Sequence, residues 1–326
     1  MKTELKTSLS NKKTLLLLSF LSIFISAVSC VMVELILPAL IGALSALYLF
    51  DTDKKRIFSI ATSVVILSIN LAAILFEISA SMFGPAAIIV SFIISRAFVK
   101  GENKADTAYI STMVCSLFIL AGALLFAMVN VGEYTIDAAL EFYSKIADEL
   151  KAIFVESMYE IYTAAGVQVT EELMIAVFDQ IKNMIISYIL IVGFVIVGLG
   201  MKIFSFITKK CSMDKHYINE WSFSATNVHA YFYVILALVY MFIGTTDSIF
   251  AISVMNLYNI FMVVFAYIGF NFVLDRFKSR MRPASAFILL VIICIMLLSL
   301  AMQVLALLGV MMTVRKSNVS PTSAEQ

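Results

Sequence analysis

The chain has 326 residues, 62% of them hydrophobic and 14% charged, with a formal net charge of +1 and a mean hydropathy of +1.00. A soluble domain is nearer half apolar and a quarter charged, and the excess here is gathered in runs long enough to cross about 30 Å of hydrocarbon as helices. This excludes a water-soluble globule, the absence of period-two alternation argues against an outer-membrane barrel, and charge segregated by loop gives no sign of a nucleic-acid partner.

At the amino terminus, Lys12 and Lys13 precede an apolar run that reaches Cys30 and continues beyond it. A cleaved leader would be followed by a polar mature start, so an uncleaved first helix is expected. The run to Phe50 is too long for one span and carries Glu34 and Pro38 near its middle. It divides into helices at about 14–32 and 35–50. A third helix over 57–79 carries Asn70 and ends near Glu77. A fourth, 83–99, starts at Gly84-Pro85, where proline suits a first turn. The fifth covers about 107–131.

The stretch 132–184 is the one long segment without a spanning run. Ile136, Leu140, Tyr143, Ile146, Leu150, Ile153 and Ile161 recur mostly at spacings of three and four, which makes one apolar helical face. Thr135 is the expected N-cap and Ala165-Gly166 the expected stop, with Thr170 capping a second helix that opens on Glu171-Glu172. The two are predicted to form an amphipathic hairpin, the first stripe lying on Leu173, Val177 and Ile181. Spans follow at about 185–207, 229–246, 249–274 and 284–313, and 315–326 is a short polar tail expected to be disordered. The predicted organisation is thus a bundle over 1–131, the acidic segment 132–184, and a second bundle over 185–314.

Loop charge orients the nine spans. Lys2, Lys6, Lys12 and Lys13 place the amino terminus in the cytoplasm. The loops with Lys54-Lys55-Arg56, Lys100 and Lys104, Lys209-Lys210, and Arg276 to Arg282 then also fall inside. The segment 132–184, with Lys145, Lys151 and Lys182 against ten carboxylates, falls outside. Only Arg315-Lys316 runs against this threading.

Motifs for chemistry are sparse. His216 and His229 have no partner at metal-ligand spacing. Cys30, Cys115, Cys211 and Cys294 lie in or beside apolar runs without disulfide or zinc spacing. No phosphate-binding glycine loop and no nucleophile motif is present, so no cofactor, metal or catalytic residue is predicted. The candidate solute-lining residues are the polar groups within or at the ends of spans: Glu34, Asn70, Glu77, Asp247, Asn256 and Asn259. Such groups are expensive against lipid and should face the bundle or a wet cavity. Asn256 and Asn259 share one helical face. They serve either as interhelical hydrogen-bonding glue, worth about 0.6 kcal/mol per contact, or as a solute lining. Acids gathered at the outer face would favour a cationic or amine-bearing solute. In the second helix, Ala39, Ala43 and Gly42, Ala46 are small residues four apart, a spacing that permits close helix approach.

The carboxyl-terminal third resembles the YybS-like family, bacterial membrane proteins of unknown function. The residues that carry the resemblance are Trp221 after the sixth span, Asn256-Leu257 opening a long helix, Gly269 before the basic loop, and Leu307-Leu308-Gly309 followed by Arg315-Lys316. The family usually has an acid soon after that last glycine, where this chain has Val310-Met311-Met312. It also tends to have proline in the sixth span and after the tryptophan, and this chain has neither. The resemblance implies a distant likeness to the substrate-binding S components of energy-coupling-factor transporters.

The sequence therefore predicts an all-α, polytopic protein of the bacterial plasma membrane with about nine spans and an extracytoplasmic amphipathic hairpin. Its foremost expected role is a transporter-like, solute-binding one, as a recognition subunit without its own ATPase. Its expected partners are the lipid bilayer, an unknown small solute, and a membrane protein or energising module. A scaffold or regulatory partner that uses 132–184 as its contact surface is the alternative, and an intramembrane enzyme, for which no residue speaks, stands third.

Overall fold

The computed structural model describes residues 12–29, 36–51, 56–75, 82–210, 225–243 and 248–318. Among these, eleven helices follow in order: α1 (Lys12–Ser29), α2 (Leu37–Phe50), α3 (Ile57–Leu75), α4 (Phe83–Lys100), α5 (Lys104–Val131), α6 (Ile136–Ala164), α7 (Glu171–Asn183), α8 (Ile185–Lys210), α9 (Asn227–Ile243), α10 (Ile249–Lys278) and α11 (Pro283–Asn318). There is no strand among the described residues. Five helices, α3, α4, α5, α8 and α10, are long and apolar enough to cross a membrane, and α2 and α9 are shorter apolar helices. The helix α11 runs on through Arg315 to Asn318, into the stretch expected to be tail.

The chain forms two compact units. The first holds α1 to α6, α7 as far as Lys182, and α8 from Val192 onward, and it is organised around α2. Every residue of α2 except Ala39 is buried, as befits a helix apolar on all sides. It packs on α1 and α4, and more lightly on α3. Because lipid tails are as apolar as leucine, close packing and hydrogen bonds hold such helices together. A Cβ at Gly42 would stand 2.5 Å from Ile203 Cγ2, and one at Gly200 would stand 2.8 Å from Ile41 Cγ2. The small residues of α2 are thus used internally, against α8. Ser45 and Ser91 both donate to the Ile41 carbonyl, at 2.7 and 3.0 Å, and Tyr48 meets Ser63 at 2.7 Å. Phe98 of α4 meets Phe204 of α8 edge-on at 5.2 Å.

At the end of α2, Asp51 is only 1% exposed. Its Oδ2 accepts from the Ser59 backbone N–H at 2.8 Å. That bond satisfies one of the four amide donors orphaned at the start of α3. Sequence alone shows this residue only as part of a charged loop.

In the second unit (Asn183–Ile191 and Phe223 onward) the most extensive pairing is α10 with α11. Gly269 and Gly309 face each other there. A Cβ on Gly269 would strike the Leu305 carbonyl, and one on Gly309 would strike the Phe265 carbonyl. Around this crossing Ala230, Tyr233, Phe265, Ala266, Leu305 and Ala306 form a buried cluster. A ladder of rings joins α9 to α10, with Tyr258 stacked between Tyr233 at 5.5 Å and Tyr240 at 5.1 Å.

Candidate functional site

Of the six candidate solute-lining residues, Glu34, Glu77 and Asp247 lie outside the described residues. The other three are divided between the units. In the first unit Asn70 is buried and packs on Gly84 of α4. In the second unit Asn256 and Asn259 share one face of α10, yet their surroundings differ. Asn256 is 6% exposed, and its amide works on backbone groups. Its Oδ1 accepts from Ser187 N–H at 2.9 Å. Its Nδ2 donates to the carbonyls of Asn183 and Ile252, each at 2.9 Å. One side chain therefore closes the last turn of α7 and the first turn of α8, where the chain breaks at Met184. Asn259 is half-buried and carries no such tie among the described contacts.

The pair α6–α7 in the first unit holds an open cleft of about 900 Å³, within the size range of small-molecule sites. The polar side chains in its lining are Asp148, Lys151, Glu156, Tyr159, Glu160, Thr170 and Glu171. Its walls follow from local sequence. Thr135 caps α6 by accepting from Ala138 N–H at 3.2 Å, and the helix ends where Gly166 takes φ +72°, a backbone conformation that favours glycine. Thr170 Oγ1 accepts from Leu173 N–H at 3.3 Å and restarts the chain as α7. At one side of the cleft Lys151 pairs with Asp179 at 3.2 Å, an exposed bond worth about 0.2–1 kcal/mol. Phe154 meets Phe178 at 5.7 Å. Four carboxylates and one already paired lysine leave the cleft electronegative. Among the described residues, no group of three or more His, Cys, Asp or Glu is placed to hold a metal ion.

The stripe of α6 does not lie on Leu173, Val177 and Ile181 as its period suggests. Leu150 and Ile153 remain 52% and 60% exposed, and the three α7 residues are exposed as well. The turn over 165–170 sets α7 so that Phe178 and Asp179 face α6 instead, with Met174, one turn before Phe178, buried. The other end of α6 is tied to α5 through Tyr143, whose hydroxyl donates to the Ala123 carbonyl at 2.7 Å, and through Phe142 edge-on to Phe126 at 6.3 Å. The cleft is not visible in the sequence. Its signal was the acid excess of 132–184, without the turn geometry that gathers those acids.

No curated protein and no solved structure matches the chain. The pattern of one family, described as predicted membrane protein (DUF2232), matches residues 14–311. That match runs from α1 well into α11, nearly the whole chain, and the protein belongs to this family of membrane proteins.

Proposed function

We propose that the chain is a transporter-like, solute-binding multi-pass protein of the bacterial plasma membrane, a recognition subunit that relies on another protein for energy. It crosses about nine times, with its amino terminus in the cytoplasm and α6–α7 as an extracytoplasmic hairpin. The observation that supports solute binding is the acid-lined cleft between α6 and α7. Carboxylates on an open, wet surface favour a cationic or amine-bearing solute by charge complementarity. In detergent, polyamines and quaternary amines should raise the melting temperature, whereas anionic vitamins should not. Replacing Glu156 and Glu160 together by Gln should weaken the effective cation about tenfold, since each exposed pair contributes up to about 1 kcal/mol. Equal stabilisation of the variant and the unmutated chain would remove the cleft from the proposal.

The exposed apolar stripe of α6 favours a second reading, a scaffold that docks another membrane protein through this surface. The same panel separates the two, because a scaffold gives no cation-dependent shift.

The orientation has its own test. In intact cells a cysteine replacing Ser144 on α6 should react with an impermeant thiol reagent, and one replacing Ser279 after α10 should not. Both positions are exposed. Labelling of the Ser279→Cys chain from outside would invert the threading.

A further inference from the structure

The hairpin of α6 and α7 in the first unit has two unlike faces. Its helices run antiparallel, joined by Lys151 to Asp179 and by Phe154 to Phe178. At 3.6 residues per turn, Asp148, Val155 and Tyr159 of the cleft lie on one flank of the α6 contact line, and Leu150 and Ile161 lie on the other. On α7, Ile175 lies on the cleft flank, and Leu173, Val177 and Ile181 lie opposite. Followed in the winding sense of the chain, both contact lines lead to the cleft. Followed against it, both lead to exposed apolar side chains. Because the two right-handed helices point in opposite directions, the same sense of rotation ends on the same side of the pair. The exposed apolar residues of both helices therefore share one face, and the acid-lined cleft opens on the other. Glu149 stands at the edge of α6 turned away from α7.

The apolar face begins as an interface. Ala138 and Ala139 are buried, and Phe142 and Tyr143 meet Phe126 and Ala123 of α5. Leu150 and Ile161 follow Tyr143 by seven and eighteen residues, and Ile153 follows Phe142 by eleven, nearly whole turns in each case. The strip of α6 that packs on α5 thus runs on past α5 and is exposed there. Phe126 is itself exposed, as are Leu117 and Leu120, and on a helix that crosses a membrane such side chains face lipid. With 28 residues, α5 is about 42 Å long, roughly 12 Å more than the hydrocarbon layer. Its last turns, where α6 is tied on, lie at the edge of that layer. Two other courses for α6 are unfavourable. Following α5 back along its length would carry Asp148, Glu149 and Glu156 into hydrocarbon. Turning the strip to water would leave a contiguous apolar face uncovered. A course along the surface buries the strip and keeps the acids wet, as in helices that lie in the interface plane with one face sunk about 5–10 Å.

We propose that the apolar face of the α6–α7 hairpin lies on the bilayer surface at the end of α5, and that the cleft opens away from the lipid into water. Apolar burial is the anchoring force, and zwitterionic headgroups suit the nearby acids better than anionic ones. The placement rests on the membrane location of the chain and holds whether or not the cleft takes a solute. Trp221 is the one tryptophan of the chain, so Trp221→Phe gives a dark background for single reporters. On it Leu150→Trp and Val177→Trp report the apolar face, Tyr159→Trp the cleft, and Leu117→Trp the lipid-facing side of α5. Each full chain is reconstituted in phosphatidylcholine vesicles with or without bromine on the acyl chains, and fluorescence is read with and without acrylamide. Leu150→Trp and Val177→Trp should lose most of their emission to brominated lipid, as Leu117→Trp does, and resist acrylamide. Tyr159→Trp should lose its emission to acrylamide and keep it in brominated lipid. Leu173→Trp is a second reporter on the same line, should Val177→Trp elute as an aggregate. Quenching of the apolar-face reporters by acrylamide alone would overturn the placement by leaving that face in water. Protection from both quenchers would overturn it in favour of a protein cover, a partner or a second copy. Lipid quenching at Tyr159→Trp would overturn the outward cleft.

Discussion

Gly309→Val should unfold or disperse the second unit, at a cost of about 3 kcal/mol or more. Overpacking a core ordinarily costs about 1–3 kcal/mol, because a neighbouring side chain can move aside. Here the obstacle is backbone. A Cβ on Gly309 meets the Phe265 carbonyl, and one on Gly269 meets the Leu305 carbonyl. The only relief is to separate α10 from α11, which loosens the packing of Phe265, Ala266, Leu305 and Ala306. Gly309→Ala should act in the same direction with a smaller loss. Gly198→Ala is the control: nothing lies within 4 Å of a Cβ there, and alanine gains about 0.5–1 kcal/mol over glycine inside a helix. Thermal unfolding and size-exclusion profiles in detergent measure all three. Gly309→Val with a melting temperature equal to that of Gly198→Ala would refute the close crossing.

Asn256→Leu should cost about 2–5 kcal/mol. The substitution removes three hydrogen bonds and strands a buried Ser187 N–H and the Asn183 carbonyl, and each stranded group costs about 1–3 kcal/mol. Amide hydrogen exchange at Ser187 should accelerate together with the fall in melting temperature. Asn256→Asp keeps the acceptor for Ser187 but loses both donors, so it should fall between Leu and the original. Asn259→Leu should leave stability nearly unchanged, since Asn259 carries no comparable tie. If Asn256→Leu were as stable as Asn259→Leu, the junction at Met184 would be held by something other than this amide.

Helix positions were largely legible because the bilayer imposes them. The run expected over 83–99 is α4 at Phe83–Lys100, and the helix expected to start at 185 does so. The caps Thr135 and Thr170 were readable because the donors they satisfy lie three residues away. Contacts across the chain were not. Period placed Asn256 and Asn259 on one face, but the groups that occupy Asn256 lie about 70 residues earlier. Asp51 looked like loop charge because the amide it caps is eight residues on. Likewise, periodicity gave the stripe of α6 but not the rotation of α7 about its turn, so the expected burial partner was wrong in register.

The enclosure of α2 bears on how the protein is made. At about 1.5 Å per residue its 14 residues reach roughly 21 Å, less than the thickness of the hydrocarbon layer. It tolerates this because its neighbours, not lipid, cover its flanks. During synthesis, however, those neighbours arrive late. Gly42 emerges early, whereas Gly200 and Ile203, which close over it, are translated some 160 residues afterwards. At the ~5–20 residues per second typical of translation, a short apolar helix waits about 8–30 s for its last wall. A nascent chain stalled before α8 therefore presents an unfinished hub to the insertion and quality-control machinery, and completion of α8 is the step that seals it.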